Sequence, residues 1–108
     1  NKVEDFGVGF YTKYGDGGVD ISPIADCNKT EVWELGKELG ILKEIIDAPP
    51  TDGLWDDGRT DEGQLGLSYK ELEEAMDNEN SVNRDKYNSI RSTNLHKMEP
   101  IPVCKIPN

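Results

Sequence analysis

The sequence predicts a mainly helical chain with one short strand, drawn from an α/β fold, and two observations carry that prediction. The first is Gly9 to Thr30, GFYTKYGDGGVDISPIADCNKT, where a glycine turn, a short apolar run and a helix start follow one another. Turn, strand and helix N-terminus in that order, with a lysine in the first helical turn, is how α/β folds commonly hold phosphates. The second is the apolar stripe Val32, Leu35, Gly36 and Leu39, spaced i, i+3, i+4, i+7 as one face of a helix requires.

Asn1 to Asp5 reads as a loop leading into a helix. Phe10 and Tyr11 are placed to bury in an aromatic contact, and Asp16 to Gly18 form a tight turn in which glycine allows positive φ and close backbone approach. Val19 to Ile24 reads as a short buried strand, regular at about Val19 to Ser22 and ended by Pro23 and Ala25. Asn28 and Glu31 make a capping box for a helix over Thr30 to Leu39, stopped by Gly40. Leu42 to Asp47 is a second short helix, ended by Pro49 and Pro50. Thr51 to Gly66, rich in glycine and aspartate, reads as a lid-like mobile loop anchored only by Leu54 and Trp55. Ser68 with Glu71 caps a third helix whose apolar face is Tyr69, Leu72 and Met76. Val82 to Leu95 is a weaker helix using Tyr87, Ile90 and Leu95, and Pro100, Pro102 and Pro107 leave an extended tail.

Composition narrows the function classes. Net charge is −10 over 108 residues and mean hydropathy is −0.72. Glu44 to Glu79 carries twelve acidic residues against Arg59 and Lys70, Asn1 to Lys43 is net −3, and Asn80 to Asn108 is net +3. That acidity argues against nonspecific binding to nucleic acid or to an anionic membrane, without forbidding a local basic pocket. Cys27 and Cys104 are isolated thiols with no metal-ligand spacing, so free cysteines are expected. No apolar run approaches the ~20 residues of a membrane span. No nucleophile–base pair is visible. The single histidine, His96, is by itself more often structural than catalytic.

The wording of the chain is more specific than its physics. TKYGDGGVD, SPIADCNKTEVWELGKELG, APPTDGLWDDGRTDEGQLGLSYKEL and the His96-Lys97 pair with prolines behind it closely resemble the ATP-dependent NAD+ synthetases, in the family's order and over nearly the whole chain. The resemblance implies a parent fold of the adenine nucleotide α-hydrolase type, with a Rossmann-like parallel sheet. It implies that residues 1–108 are the C-terminal part of one synthetase domain, because the family's Ser-Gly-Gly-x-Asp-Ser pyrophosphate loop is not among them. The strand at Val19 to Ser22 would then sit at an edge or lack partners.

It also implies a reaction. Deamido-NAD+ is adenylated by ATP, then amidated by ammonia to give NAD+, AMP and pyrophosphate, in a cytoplasmic homodimer. The sequence leaves open whether that ammonia is free or comes from glutamine. By motif, Lys29 and Thr51 bind ATP, and Lys13, Asp20, His96 and Lys97 bind deamido-NAD+. Glu4, from the Asn-Lys-x-Glu pattern, is a Mg2+ ligand, and no residue here is a catalytic base. One more residue stands between Glu4 and Lys13 than many members have, around Gly7 to Gly9. Two other readings stand beside this one: a noncatalytic acidic helical domain that binds a partner protein, and another ATP pyrophosphatase such as a GMP synthetase. The TKYGDGGVD and His-Lys motifs speak against the second.

Overall fold

The computed structural model describes residues 1–108. It opens with a π-helix, Val3–Val8, followed by α1 (Lys29–Glu38), α2 (Lys43–Ile46), α3 (Asp61–Leu65), α4 (Tyr69–Asp77), α5 (Arg84–Asn94) and a final 3-10 helix, Leu95–Met98. The core lies where α4 and α5 clasp the π-helix. Val3, Val8, Leu65, Leu67, Tyr69, Leu72, Ala75 and Tyr87 are buried together, and Phe10, Trp33, Met76 and Ile90 pack against them.

The π-helix is the element the sequence did not announce. Its i→i+5 bonding takes one residue more per turn than an α-helix allows. Gly9 N–H closes it on Glu4 O at 2.9 Å, and Gly9 adopts φ +72°, the left-handed conformation that favours glycine. α5 and the final 3-10 helix satisfy the carbonyls at that end. Arg91 donates to Phe6 O and Gly7 O, Asn94 to Val8 O, and Lys97 to Gly9 O. Gly7 lets Tyr87 approach, since a Cβ there would stand 3.0 Å from the tyrosine hydroxyl.

Three expectations need correction. No strand forms. Val19 is 57% and Ile21 76% exposed, and Ser22 to Cys27 folds into turns closed by Ala25 N–H to Ser22 O and Cys27 N–H to Ile24 O. A strand needs a neighbour for its backbone groups, and residues 1–108 offer none. The expected lid is not irregular throughout. Thr60 accepts from Gly63 N–H, Asp61 and Glu62 occupy the first turn, and Leu65 is buried, so α3 forms at its end while Thr51 to Arg59 stays irregular and exposed. Phe10 and Tyr11 do not share an aromatic contact. Phe10 leans on the core, and the Tyr11 hydroxyl donates to Lys97 O at 2.9 Å.

Other elements form as expected. Ser68 and Glu71 make both halves of their capping box. Gly36 lies against Ile46 of α2, where a Cβ would meet Cγ1 at 3.6 Å. The Asp16–Gly18 turn needs its glycines for close approach, not for positive φ. A Cβ on Gly17 would lie 2.6 Å from Lys13 O, and one on Gly18 2.5 Å from Tyr14 O. Both cysteines are free, Cys27 half-buried and Cys104 exposed. No helix is long and apolar enough to cross a membrane.

Candidate functional site

Two clusters of the sequence-selected residues form, and one residue stands apart. The first cluster centres on Tyr69, at the start of α4. Its ring packs edge-on against Trp33 of α1, with centroids 5.9 Å apart at 89°. Its backbone N–H donates to Glu62 Oε2 at 2.9 Å. So held, its hydroxyl meets two carboxylates, Glu4 Oε1 and Asp61 Oδ2, the latter at 3.1 Å. Lys29 extends its ammonium over the same ring, 5.6 Å from the centroid, and lies 5.8 Å from that of Trp33. A desolvated cation gains from such aromatic faces.

Burial pushes the Glu4 and Asp61 carboxyls above their ordinary range, with the Tyr69 hydroxyl and the Lys29 charge pulling both back. The Tyr69 hydroxyl is itself pushed far up, first by burial and then by its bond to Glu4. Glu4, Asp61 and Thr51 line one cavity of about 330 Å³, with Phe10, Thr12, Asp16, Asp52 and Leu54. Thr51 and Lys29 also meet at a second, more apolar cavity of about 480 Å³ between α1 and α2. The donors on the Glu4 side are carboxylate oxygens, the set that suits a hard divalent cation. Asp61 Oδ1 is buried there without a hydrogen-bond partner, so the residues fit Mg2+.

The second cluster ties the glycine-turn segment to the C-terminal helix. Lys13 Nζ donates to His96 O at 2.8 Å and Glu99 O at 2.6 Å. Lys97 Nζ donates to Gly9 O at 2.9 Å and lies 5.8 Å from the Tyr11 ring centroid. His96 is exposed and enters this web through its carbonyl, not its ring. Asp20 is exposed and belongs to neither cluster.

The N-terminus of α1 differs from expectation. Its first N–H groups are not simply open to an anion, because Glu73 of α4 reaches them. Thr30 Oγ1 donates to Glu73 Oε1 at 2.5 Å, and Thr30 N–H to Oε2 at 3.4 Å. Glu31 accepts from Asn28 N–H at 3.0 Å, while Asn28 Oδ1 is buried and unpartnered. A carboxylate beside the helix N-terminus already uses the dipole there, leaving the Lys29 side chain as the free cation. Sequence reasoning missed Asp61, Tyr69 and Glu73. Tyr69 read as plain core and Asp61 as loop polarity, and the Tyr69–Glu4 bond spans 65 positions, beyond any local pattern.

The NAD synthase family pattern matches residues 1–105. The NH(3)-dependent NAD(+) synthetase of Alkaliphilus oremlandii is 43% identical over 100 residues, covering 91% of this chain and 40% of that protein. The enzyme of the same description from Archaeoglobus fulgidus is 43% identical over 105 residues, covering 92% of this chain and 42% of its own. The solved structure of the NMN synthetase from Francisella tularensis superposes with a TM-score of 0.82 at 31% identity, covering 98% of this chain and 45% of that one. The chain thus spans less than half the length of the relatives it matches.

Proposed function

The chain belongs to the NAD synthase family, and we propose that it is the C-terminal part of a cytoplasmic, homodimeric, ammonia-dependent NAD+ synthetase. The observation that carries the reading is the meeting of Glu4, Lys29 and Thr51, far apart in sequence, around Tyr69 and its two adjoining cavities. Relatives described as NH(3)-dependent favour free ammonia as the nitrogen donor.

In this reading the nicotinate carboxylate of deamido-NAD+ attacks the α-phosphorus of ATP and pyrophosphate leaves. Ammonia then attacks the activated carbonyl and AMP leaves. Both steps put charge on phosphate oxygens, so they are helped by fixed cations and donors more than by a protein base. Lys29 and Thr51 hold ATP. Glu4 holds the Mg2+, which when bound neutralises phosphate charge. Lys13, Asp20, His96 and Lys97 hold deamido-NAD+. Lys13 and Lys97 exchange a backbone carbonyl for the ligand as they do so, because both ammonium groups are already hydrogen-bonded. Thr51 to Arg59 closes over the nucleotide as a lid.

The test is conversion of deamido-NAD+ to NAD+ by the full-length protein, dependent on ATP, Mg2+ and ammonia. Lys29→Ala should cost about ten- to a hundredfold in ATP use, as the loss of a charge-assisted phosphate contact does. Lys97→Ala should raise the requirement for deamido-NAD+. Unchanged kinetics in both variants would remove the site assignment. Residues 1–108 alone contain no Ser-Gly-Gly-x-Asp-Ser loop and should not turn over. Misplaced groups lose on the order of 10²-fold per ~1 Å. Robust NAD+ formation by these residues alone would show that the active site lies elsewhere.

A further inference from the structure

We propose that Glu73 of α4 is a positioning residue for ATP: by holding Thr30 in the first turn of α1, it sets where the neighbouring Lys29 ammonium stands. The inference rests on the reading of Lys29 as an ATP-binding residue and deepens it.

Glu73 is 8% exposed, and no cationic group pairs with it. Both of its oxygens turn to one residue 43 positions away. Thr30 Oγ1 donates to Oε1 at 2.5 Å, and Thr30 N–H donates to Oε2 at 3.4 Å. That N–H is one of the free donors at the start of α1, where the helix dipole favours an anion. The cap residue of α1 does not take it, since Asn28 Oδ1 makes no hydrogen bond.

Burying a carboxylate is costly, and an apolar pair of the same shape can hold two helices together as well. What the carboxylate adds is direction. Thr30 and Trp33 share one face of α1, and Tyr69 and Glu73 share one face of α4, at spacings i, i+3 and i, i+4. Thr30 meets Glu73 while Trp33 meets Tyr69 edge-on, with ring centroids 5.9 Å apart. Two such contacts resist both sliding and rotation of α1 on α4, at the end that carries Lys29. The far end has no comparable hold, and Leu39 there is 70% exposed. From this joint Lys29 places its ammonium 5.6 Å from the Tyr69 centroid and 5.8 Å from that of Trp33, and it lines the cavity it shares with Thr51. Without the carboxylate the first turn of α1 is held by the rings alone, and the ammonium loses its fixed distance to Thr51.

The test is steady-state kinetics of the full-length protein, with ATP varied at saturating deamido-NAD+ and then the reverse. Glu73→Gln keeps the size and an acceptor for Thr30 Oγ1, but turns an NH2 group toward Thr30 N–H. It should raise KM for ATP about tenfold and leave KM for deamido-NAD+ within about twofold. Thr30→Val removes the hydroxyl at constant size and should move the same parameter in the same direction. Added to Lys29→Ala, Glu73→Gln should change KM for ATP by less than about twofold, because the cation it positions is gone. A merely structural role would lower the active fraction, and so the apparent kcat, with both KM values unchanged.

That structural pattern in Glu73→Gln and Thr30→Val, beside a raised KM for ATP in Lys29→Ala, would overturn the proposal and leave the Lys29 reading standing. So would a Glu73→Gln effect that persists undiminished in the Lys29→Ala background. An unchanged KM for ATP in Lys29→Ala itself would overturn both. If Glu73→Gln does not fold, Thr30→Val, alone and with Lys29→Ala, decides by the same criteria.

Discussion

The two halves of this molecule hold themselves together differently. Residues 1–9 and 61–98 enclose the whole buried core, and every buried residue of the chain lies in one of those two spans. Residues 10–60 contain none. Their helices, α1 and α2, leave Leu35, Leu39, Ile41, Leu42 and Ile45 at 43% to 70% exposure. Yet this second region carries most of the residues chosen for ligand binding: Lys13, Asp20, Lys29 and Thr51. The first region is a platform fixed by burial. The second is shaped by caps, turns and a few reaching side chains, and it joins the platform at two places: through Trp33, Lys29 and Thr30 on α1, and through Phe10, Tyr11 and Lys13 ahead of the glycine turn.

The sharpest way to break this contrast is to truncate one leucine in each region. Leu72 is fully buried in α4, whereas Leu39 at the end of α1 is 70% exposed. Leu72→Ala should cost about 2–5 kcal/mol. Leu39→Ala should stay within about 0.5 kcal/mol in the 108-residue chain. Urea unfolding of both variants measures the difference. Equal costs would mean that the chain buries the end of α1 as deeply as it buries α4.

How much of this was legible follows from the range of each signal. The Ser68–Glu71 box and the proline stops are written within four residues, and the structure follows them; the α1 stripe marks a helix that forms but, expected as core, it stays unburied, with Leu35 43% and Leu39 70% exposed. The π-helix is not written locally. It depends on Arg91, Asn94 and Lys97 satisfying carbonyls 84 to 88 positions away. Val19 to Ile24 has a strand's composition, but composition cannot supply a neighbour to pair with, and Ile21 stands 76% exposed. For the candidate site, the motifs named Glu4, Lys29 and Thr51, which do converge. They could not name Tyr69 or Asp61, whose meaning arises only when α4 packs on the π-helix.

Tyr69→Phe tests the joint between the regions. It keeps the ring against Trp33 and under Lys29 but removes the hydroxyl that the Glu4 and Asp61 carboxylates use. Hydrogen bonds to charged groups contribute roughly 1.5–3 kcal/mol, so a loss of about that size is expected. Thermal unfolding with and without the change measures it. An unchanged melting temperature would mean that the hydroxyl's partners are satisfied in other ways.

A finer comparison uses the N-caps of α1 and α4, which look alike in sequence. Ser68 Oγ accepts from Glu71 N–H at 3.2 Å, whereas Asn28, whose side chain faces Glu31 N–H in the same box arrangement, makes no hydrogen bond through Oδ1. Ser68→Ala should therefore cost about 1 kcal/mol, and Asn28→Ala clearly less, by the same urea measurement. A larger cost at Asn28 would show that its side chain completes a cap on α1.

The smallest effect belongs to the other half of the α4 box. The Glu71 carboxyl is held below its ordinary range, first because Ser68 N–H donates to it and then by its contact with the Ser68 side chain. A depressed carboxyl pKa means that the folded chain binds its proton less readily than the unfolded chain. The stabilisation is therefore complete above the unfolded value of about 4.3, and it is lost as pH falls through the lower folded value. Glu71→Gln removes that titration while keeping an acceptor for Ser68 N–H. Between about pH 5 and pH 3, wild type should lose slightly more stability than the variant, and above that window the two should run parallel. Melting temperatures across the series decide it, because identical slopes in acid would show that the box forms without drawing on the charge of Glu71.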